Sequence, residues 1–169
     1  MRLIKYFHLA ICVMLVTLLS CKEDDPEPAY ELKARLLAGA KGASKNWSLT
    51  SATVTFEGDT EPFEFDPCFL DNVYKFTNNA TQDYELTEGL TKCATDAPTI
   101  VESGNWSFTS DGEILIVLTY NFTGSDAVIF AFLARPAIVK ELTEDSLKLE
   151  IELDLDGEIE IYNLNFEAN

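Results

Sequence analysis

Leu147, Leu149, Ile151 and Leu153 stand at every second position, and Lys148, Glu150, Glu152 and Asp154 fill the gaps. A period of two commits this segment to a β-strand with one buried and one wet face, because successive strand side chains point to opposite sides. Asp156-Gly157 marks a turn, after which a last strand returns. A two-residue loop would set Leu155 opposite Glu158 and mix the faces. A three-residue loop, Leu155 to Gly157, pairs Leu153 with Ile159 and keeps the apolar face whole. That register also opposes Glu152 to Glu160 and Asp154 to Glu158, like charges that weaken pairing. An acidic face that discourages edge-to-edge association is one meaning. A divalent-cation site is the other, since hard cations take several carboxylate oxygens. Glu152-x-Asp154-x-Asp156-Gly157 faintly echoes a calcium loop, but Asn163 stands where the closing acid belongs, so no metal site is expected.

Strand follows strand upstream. Trp47 to Phe56 is the first, and its apolar phase shifts from odd (Trp47, Leu49) to even (Ala52, Val54, Phe56). Such a shift predicts a bulge near Thr50 or Ser51. Glu61 to Asn72 is irregular and reads as a helical turn closing one end of the sheet. Val73 to Thr77 and Asp83 to Thr87 form a hairpin that pairs Phe76 with Tyr84, and in that register Cys68 falls opposite Lys92, beside Cys93. Gly104 to Thr109 and Glu113 to Phe122 are joined by Asp111-Gly112. Ala127 to Ala134 is apolar on both faces, with Phe130 and Phe132 on one of them, so it must be covered on both sides. It is a core strand, a cavity lining or an oligomer interface. Tyr30 to Ala40 is the one helix, with Tyr30, Ala34 and Leu37 on one stripe and Gly39 and Gly42 ending it. It could cover the outer face of the 127–134 strand. One helix and about eight short strands, without a βαβ pattern, predict an all-β antiparallel barrel or sandwich.

The N-terminus sets the compartment. Arg2 and Lys5 precede an apolar run from Ile11 to Leu19 that is too short to span a bilayer but fits a cleaved signal. Leu18-Leu19-Ser20-Cys21 reads as a lipobox, with cleavage before Cys21 and a diacylglycerol on its sulfur. The expected organisation is therefore a signal peptide over 1–20, a lipidated tether over 21–29 and one domain over 30–169. Removing residues 1–20 takes Arg2 and Lys5 and no acid, so the net charge of −17 becomes −19. That charge argues against nucleic acid as a partner. It also removes His8, the only histidine, and with it Ser-His-Asp and Cys-His catalysis and imidazole-based zinc. Cys12 is cleaved away and Cys21 is acylated. Cys68 and Cys93 remain as an even pair in an oxidising compartment, which predicts a disulfide. Paired carboxylates, for example among Glu61, Glu64 and Asp66, are the only catalytic equipment left, and nothing singles out a pair. No enzyme, catalytic residue or cofactor is expected.

The order of several short motifs resembles the lipocalin-like domains of Bacteroidota lipoproteins. They are Leu36-Leu37-Ala38-Gly39, Lys45-Asn46-Trp47-Ser48-Leu49, Cys68 with Asp71 and Val73-Tyr74-Lys75-Phe76, then Cys93, Gly104-Asn105-Trp106 and the stretch from Leu142 to Leu149. Lys22-Glu23-Asp24-Asp25 likewise resembles the export signal of surface lipoproteins in that group, and Asp145-Ser146-Leu147 its O-glycosylation site, though a plain turn explains the latter equally well. The resemblance implies an up-and-down calycin-type barrel of about eight strands, held at the outer membrane by its N-terminal lipid and exposed at the cell surface. It implies an interior that takes a small hydrophobic or amphipathic ligand. Trp47, Tyr74, Phe76, Tyr84, Trp106, Phe130 and Phe132 are the candidate lining residues. Trp47 and Trp106 serve equally as core plugs. The alternative is a non-catalytic accessory module whose acidic face or apolar strand meets a protein or glycan.

Overall fold

The computed structural model describes residues 26–93, 98–122 and 133–169. The expected signal peptide, Cys21, Phe130 and Phe132 lie outside them. The described residues form two helices, α1 (Ala29–Ala38) and α2 (Pro67–Leu70). The strands are β1 (Ser44–Phe56), β2 (Asp59–Pro62), β3 (Val73–Thr77), β4 (Asp83–Thr87), β5 (Ile100–Phe108), β6 (Ile114–Phe122), β7 (Ala137–Leu142), β8 (Ser146–Leu155) and β9 (Glu158–Ala168). Every pairing is antiparallel, in the order β2-β1-β3-β4-β5-β6-β7-β8-β9. β1 also pairs with β9. Eight strands thus close into an up-and-down barrel, and β2 is a flap paired with the last third of β1.

Closure depends on the expected bulge. β1 runs against β9 from Trp47 to Phe56, and the register slips between Leu49 and Ser51, leaving Thr50 as the extra residue. Without that slip, Leu49 and Ala52 could not both face the interior, because they differ in phase. Both are buried. α1 lies across one end and touches β1, β3, β5 and β7. Ala34, Leu37 and Ala38 are its buried residues, whereas Tyr30 is 42% exposed and does not join the expected stripe. The helix ends at Gly39, whose φ of 84° is reached cheaply only without a side chain. Trp47 seals the junction: its indole N–H donates to the Leu37 carbonyl at 2.8 Å.

The terminal hairpin differs from expectation. Leu155 faces Glu158, Leu153 faces Glu160 and Asp154 faces Ile159, so the loop is the two residues Asp156 and Gly157. Both have positive φ, 59° and 93°, the signature of the tight hairpin turn that suits strand twist. The register is decided deeper in the sheet, where Leu147, Leu149 and Ile151 meet Phe166, Leu164 and Tyr162. Those six buried side chains outweigh Ile159 and Ile161, which turn outward. The opposed acid pairs consequently do not form, since Glu152 meets Ile161. Among the described residues no group of three or more His, Cys, Asp or Glu could hold a metal ion.

Two strands escape the sequence pattern. β2 is four exposed residues with no apolar member. In β7 a bulge between Val139 and Glu141 breaks the alternation of Ala137, Val139 and Leu142. The expected strand over 127–134 falls almost wholly outside the described residues, and Leu133 and Ala134 lie in a turn.

The β3–β4 hairpin is as expected, with Phe76 opposite Tyr84. A Cys68–Cys93 disulfide closes its open end. Polar contacts reinforce the clasp. Thr91 N–H donates to Asp71 Oδ2 at 2.7 Å, Gly89 N–H to Asn72 Oδ1 at 3.1 Å and Cys93 N–H to Glu88 Oε1 at 3.3 Å. The bridge spans 25 residues, and a loop of that size restricts the unfolded chain by ~3 kcal/mol. A Cys68→Ser/Cys93→Ser double variant should lose about that much in urea melts while keeping its strand signal. Full retention of stability would show that the polar contacts alone hold the clasp.

Candidate functional site

Neighbouring strands carry their inward side chains in rows. One row runs Trp47, Tyr74, Leu86, Glu102 across β1, β3, β4 and β5. The next runs Phe76, Tyr84, Gly104, Thr119 across β3, β4, β5 and β6. Most of these are what a barrel interior requires, and Leu86, Phe76, Tyr84 and Trp47 are fully buried. Glu102 is not. A carboxyl group is expensive to bury without a partner, yet Glu102 is 1% exposed.

Glu102 has half of its hydrogen bonding met. The Tyr84 hydroxyl donates to Oε2 at 3.3 Å. The other oxygen, Oε1, is buried with no partner among the described residues, and so is the Thr119 hydroxyl on the adjacent strand. Thr119 pairs with Gly104, two residues from Glu102, which puts the two side chains in diagonal positions on one face. Burial pushes the Glu102 carboxyl up to about 7, against the pull of the Tyr84 hydrogen bond. Burial and then the Glu102 charge push the hydroxyls of Tyr74 and Tyr84 up as well, so both remain protonated donors.

Aromatic rings extend from this group. Tyr84 lies 5.3 Å from Phe76, and Phe76 lies 6.2 Å from Trp106 edge-on. Tyr74 meets Phe166 at 5.2 Å, and Phe63 meets Tyr162 at 5.3 Å. Trp106 is anchored by donating to the Thr77 carbonyl at 3.2 Å. Near the β8–β9 turn, Glu160 accepts from the Tyr162 hydroxyl at 2.5 Å. That bond and, above all, burial raise Tyr162 to about 12.

Five of the expected lining residues, Trp47, Tyr74, Phe76, Tyr84 and Trp106, therefore face the interior. Trp47 and Trp106 stand with their N–H groups bound to backbone near α1. Tyr84 touches Glu102, Phe76 packs against Tyr84, and Tyr74 lies in the Glu102 row beyond Leu86. Glu102 itself and Thr119 were not expected. β5 begins at Ile100 rather than Gly104, and extending it back by two residues puts Glu102 in phase with Gly104, Trp106 and Phe108. That phase was the available signal. Gly104 belongs to the same geometry, since an added Cβ would lie 2.0 Å from the Leu118 carbonyl, where β6 bulges past β5.

A closed antiparallel barrel of eight strands, with a helix across one end and polar groups turned into its interior, is a calycin-type fold. The model of the lipocalin-like domain family matches residues 44–149, and the chain belongs to that family. A comparison with curated proteins finds no match.

Because the folded chain holds the Glu102 proton up to about pH 7 and the unfolded chain releases it near 4.5, folding binds a proton in that window. Stability therefore falls as pH rises from 4.5 to 7 and is level above. Glu102→Gln keeps the Tyr84 hydrogen bond and removes this slope. It should be more stable than the parent at pH 8, by at most ~3 kcal/mol for a shift of this size, and level with it at pH 4. Parallel melting curves at both pH values would contradict a raised carboxyl.

Proposed function

We propose that the chain is a lipid-anchored binding protein of the cell envelope that holds a small amphipathic molecule inside its barrel. The observation that carries this reading is the Glu102–Tyr84–Thr119 group. A core built for stability alone satisfies its buried polar atoms. Among the described residues five buried side-chain atoms lack hydrogen-bond partners. Asp71 Oδ1, Asn72 Nδ2 and Glu88 Oε2 belong to the clasp, whereas Glu102 Oε1 and the Thr119 hydroxyl stand together on the inward face, within a lining otherwise aromatic and aliphatic. A mostly apolar concavity with a few convergent polar groups is the usual form of a small-molecule site. No covalent chemistry is assigned to it. A chain cut before Cys21 contains no histidine, and the two buried carboxyls among the described residues are held apart, Glu102 by Tyr84 and Glu88 by Lys92 and the Cys93 N–H, not paired as glycosidase-type catalysis needs.

The neutral probe N-phenyl-1-naphthylamine should bind with one-to-one stoichiometry, blue-shifted emission and a Kd of about 1–10 μM, near −7 to −8 kcal/mol. Dodecanol should displace it. A linear, unsaturable signal would overturn the reading. The anchor is tested separately: Cys21→Ser should move the protein from the membrane fraction to the soluble fraction of the cell envelope, and unchanged fractionation would refute lipidation.

A further inference from the structure

We infer that the interior site selects a ligand whose polar end is an ammonium group, seated between Glu102 Oε1, the Thr119 hydroxyl and the rings of Tyr74 and Tyr84. This rests on the binding reading above and names the chemical class of its ligand. Around Glu102 the described residues offer acceptors in excess. Glu102 Oε1 is a free acceptor and Thr119 Oγ1 a free hydroxyl, while Tyr84 already supplies the one donor that Oε2 uses. No salt bridge of the described residues reaches Glu102. The interior-phase cation Lys45 is taken by the Leu36 carbonyl and by Glu144. A ligand carboxylate entering this space would meet a like charge. A ligand hydroxyl could meet one free oxygen. A primary ammonium brings three donors and the missing charge together, and it turns a costly lone carboxyl into a pair.

The surroundings suit the same cation. Tyr84 reaches the carboxyl from the neighbouring strand, and Tyr74 lies one strand further along the row, beyond Leu86. Ring faces attract an ammonium through their quadrupole, most strongly where water is excluded. The whole chain carries a charge of −17, which draws organic cations toward the barrel and repels anions. The aliphatic and aromatic lining of Leu86, Phe76 and Phe166 then takes the apolar body. An ammonium bound there stabilises the ionised carboxyl and pulls the Glu102 pKa down from about 7.

The test is calorimetric titration of the purified protein at pH 8 with dodecylamine, dodecanol and dodecanoate, each below its micelle concentration. Dodecylamine should bind at least ~10-fold more tightly than dodecanol, and dodecanoate more weakly than either. Glu102→Gln should abolish the preference for the amine, bringing dodecylamine and dodecanol within ~3-fold of each other. Thr119→Val, which is close in shape, should narrow the preference without ending it. Amine binding should also lower the Glu102 pKa, followed by the carboxyl carbon shift in NMR. Dodecanoate binding as tightly as dodecylamine would overturn the inference while leaving the binding reading intact. So would a Glu102→Gln protein that folds and keeps the preference. Binding of none of the three, in a protein whose melting curve is normal, would overturn both.

Discussion

The pairing of β1 with β9 is the contact on which the rest of the molecule depends. An open sheet would leave two rows of unpaired backbone groups and two faces to cover. Closure disposes of both rows and creates an inside. It demands that the inward phase of β1 survive over thirteen residues, which strand twist and tilt do not allow without an irregularity. The extra residue at Thr50 provides it, and the Thr50 hydroxyl, donating to the Asn165 carbonyl at 3.1 Å, fastens the slip. α1 and Trp47 then close one end, and the Cys68–Cys93 clasp ties α2 to the chain beyond β4.

An inside made this way has a low dielectric, and that fixes the behaviour of any polar group in it. Glu102 shows the consequence. The same carboxyl on an outward position would titrate as an ordinary surface acid and do nothing. Turned inward, it holds its proton to about pH 7, and the same burial, above all, keeps Tyr74 and Tyr84 protonated. The fold thus makes an internal acid of the carboxyl that position 102 turns into the barrel.

Much of this architecture was legible in the chain. The β3–β4 register, the bulge in β1, the disulfide and the inward set of Tyr74, Phe76 and Tyr84 all follow from phase and spacing. What was not legible had local causes. β7 hides because a bulge breaks its period. β2 hides because it has no apolar residue at all. In the terminal hairpin, Leu153 and Ile159 near the turn favour a three-residue loop by phase alone. The register is set by Tyr162, Leu164 and Phe166, whose burial costs more to forgo. Glu102 was missed for the same kind of reason. A glutamate at a strand's start looks like a boundary, and only the rows across four strands show that it points inward.

Two features of the interior pull in opposite directions, and their conflict is informative. Tyr84 is placed to satisfy Glu102, and its hydroxyl has no other acceptor in view. This is a built contact rather than an accident of packing. Yet the same construction leaves Oε1 and the Thr119 hydroxyl bare. Replacing the group as a whole, with leucine at 102, phenylalanine at 84 and valine at 119, would remove the difficulty, since exchanging a buried polar group for apolar residues of similar volume is commonly neutral or stabilising. A half-satisfied polar group is the worst choice for stability alone. Something that enters the barrel and supplies the second half would remove that cost. On that view the instability of the empty site and the affinity of the occupied one are the same free energy, read in two states of the protein.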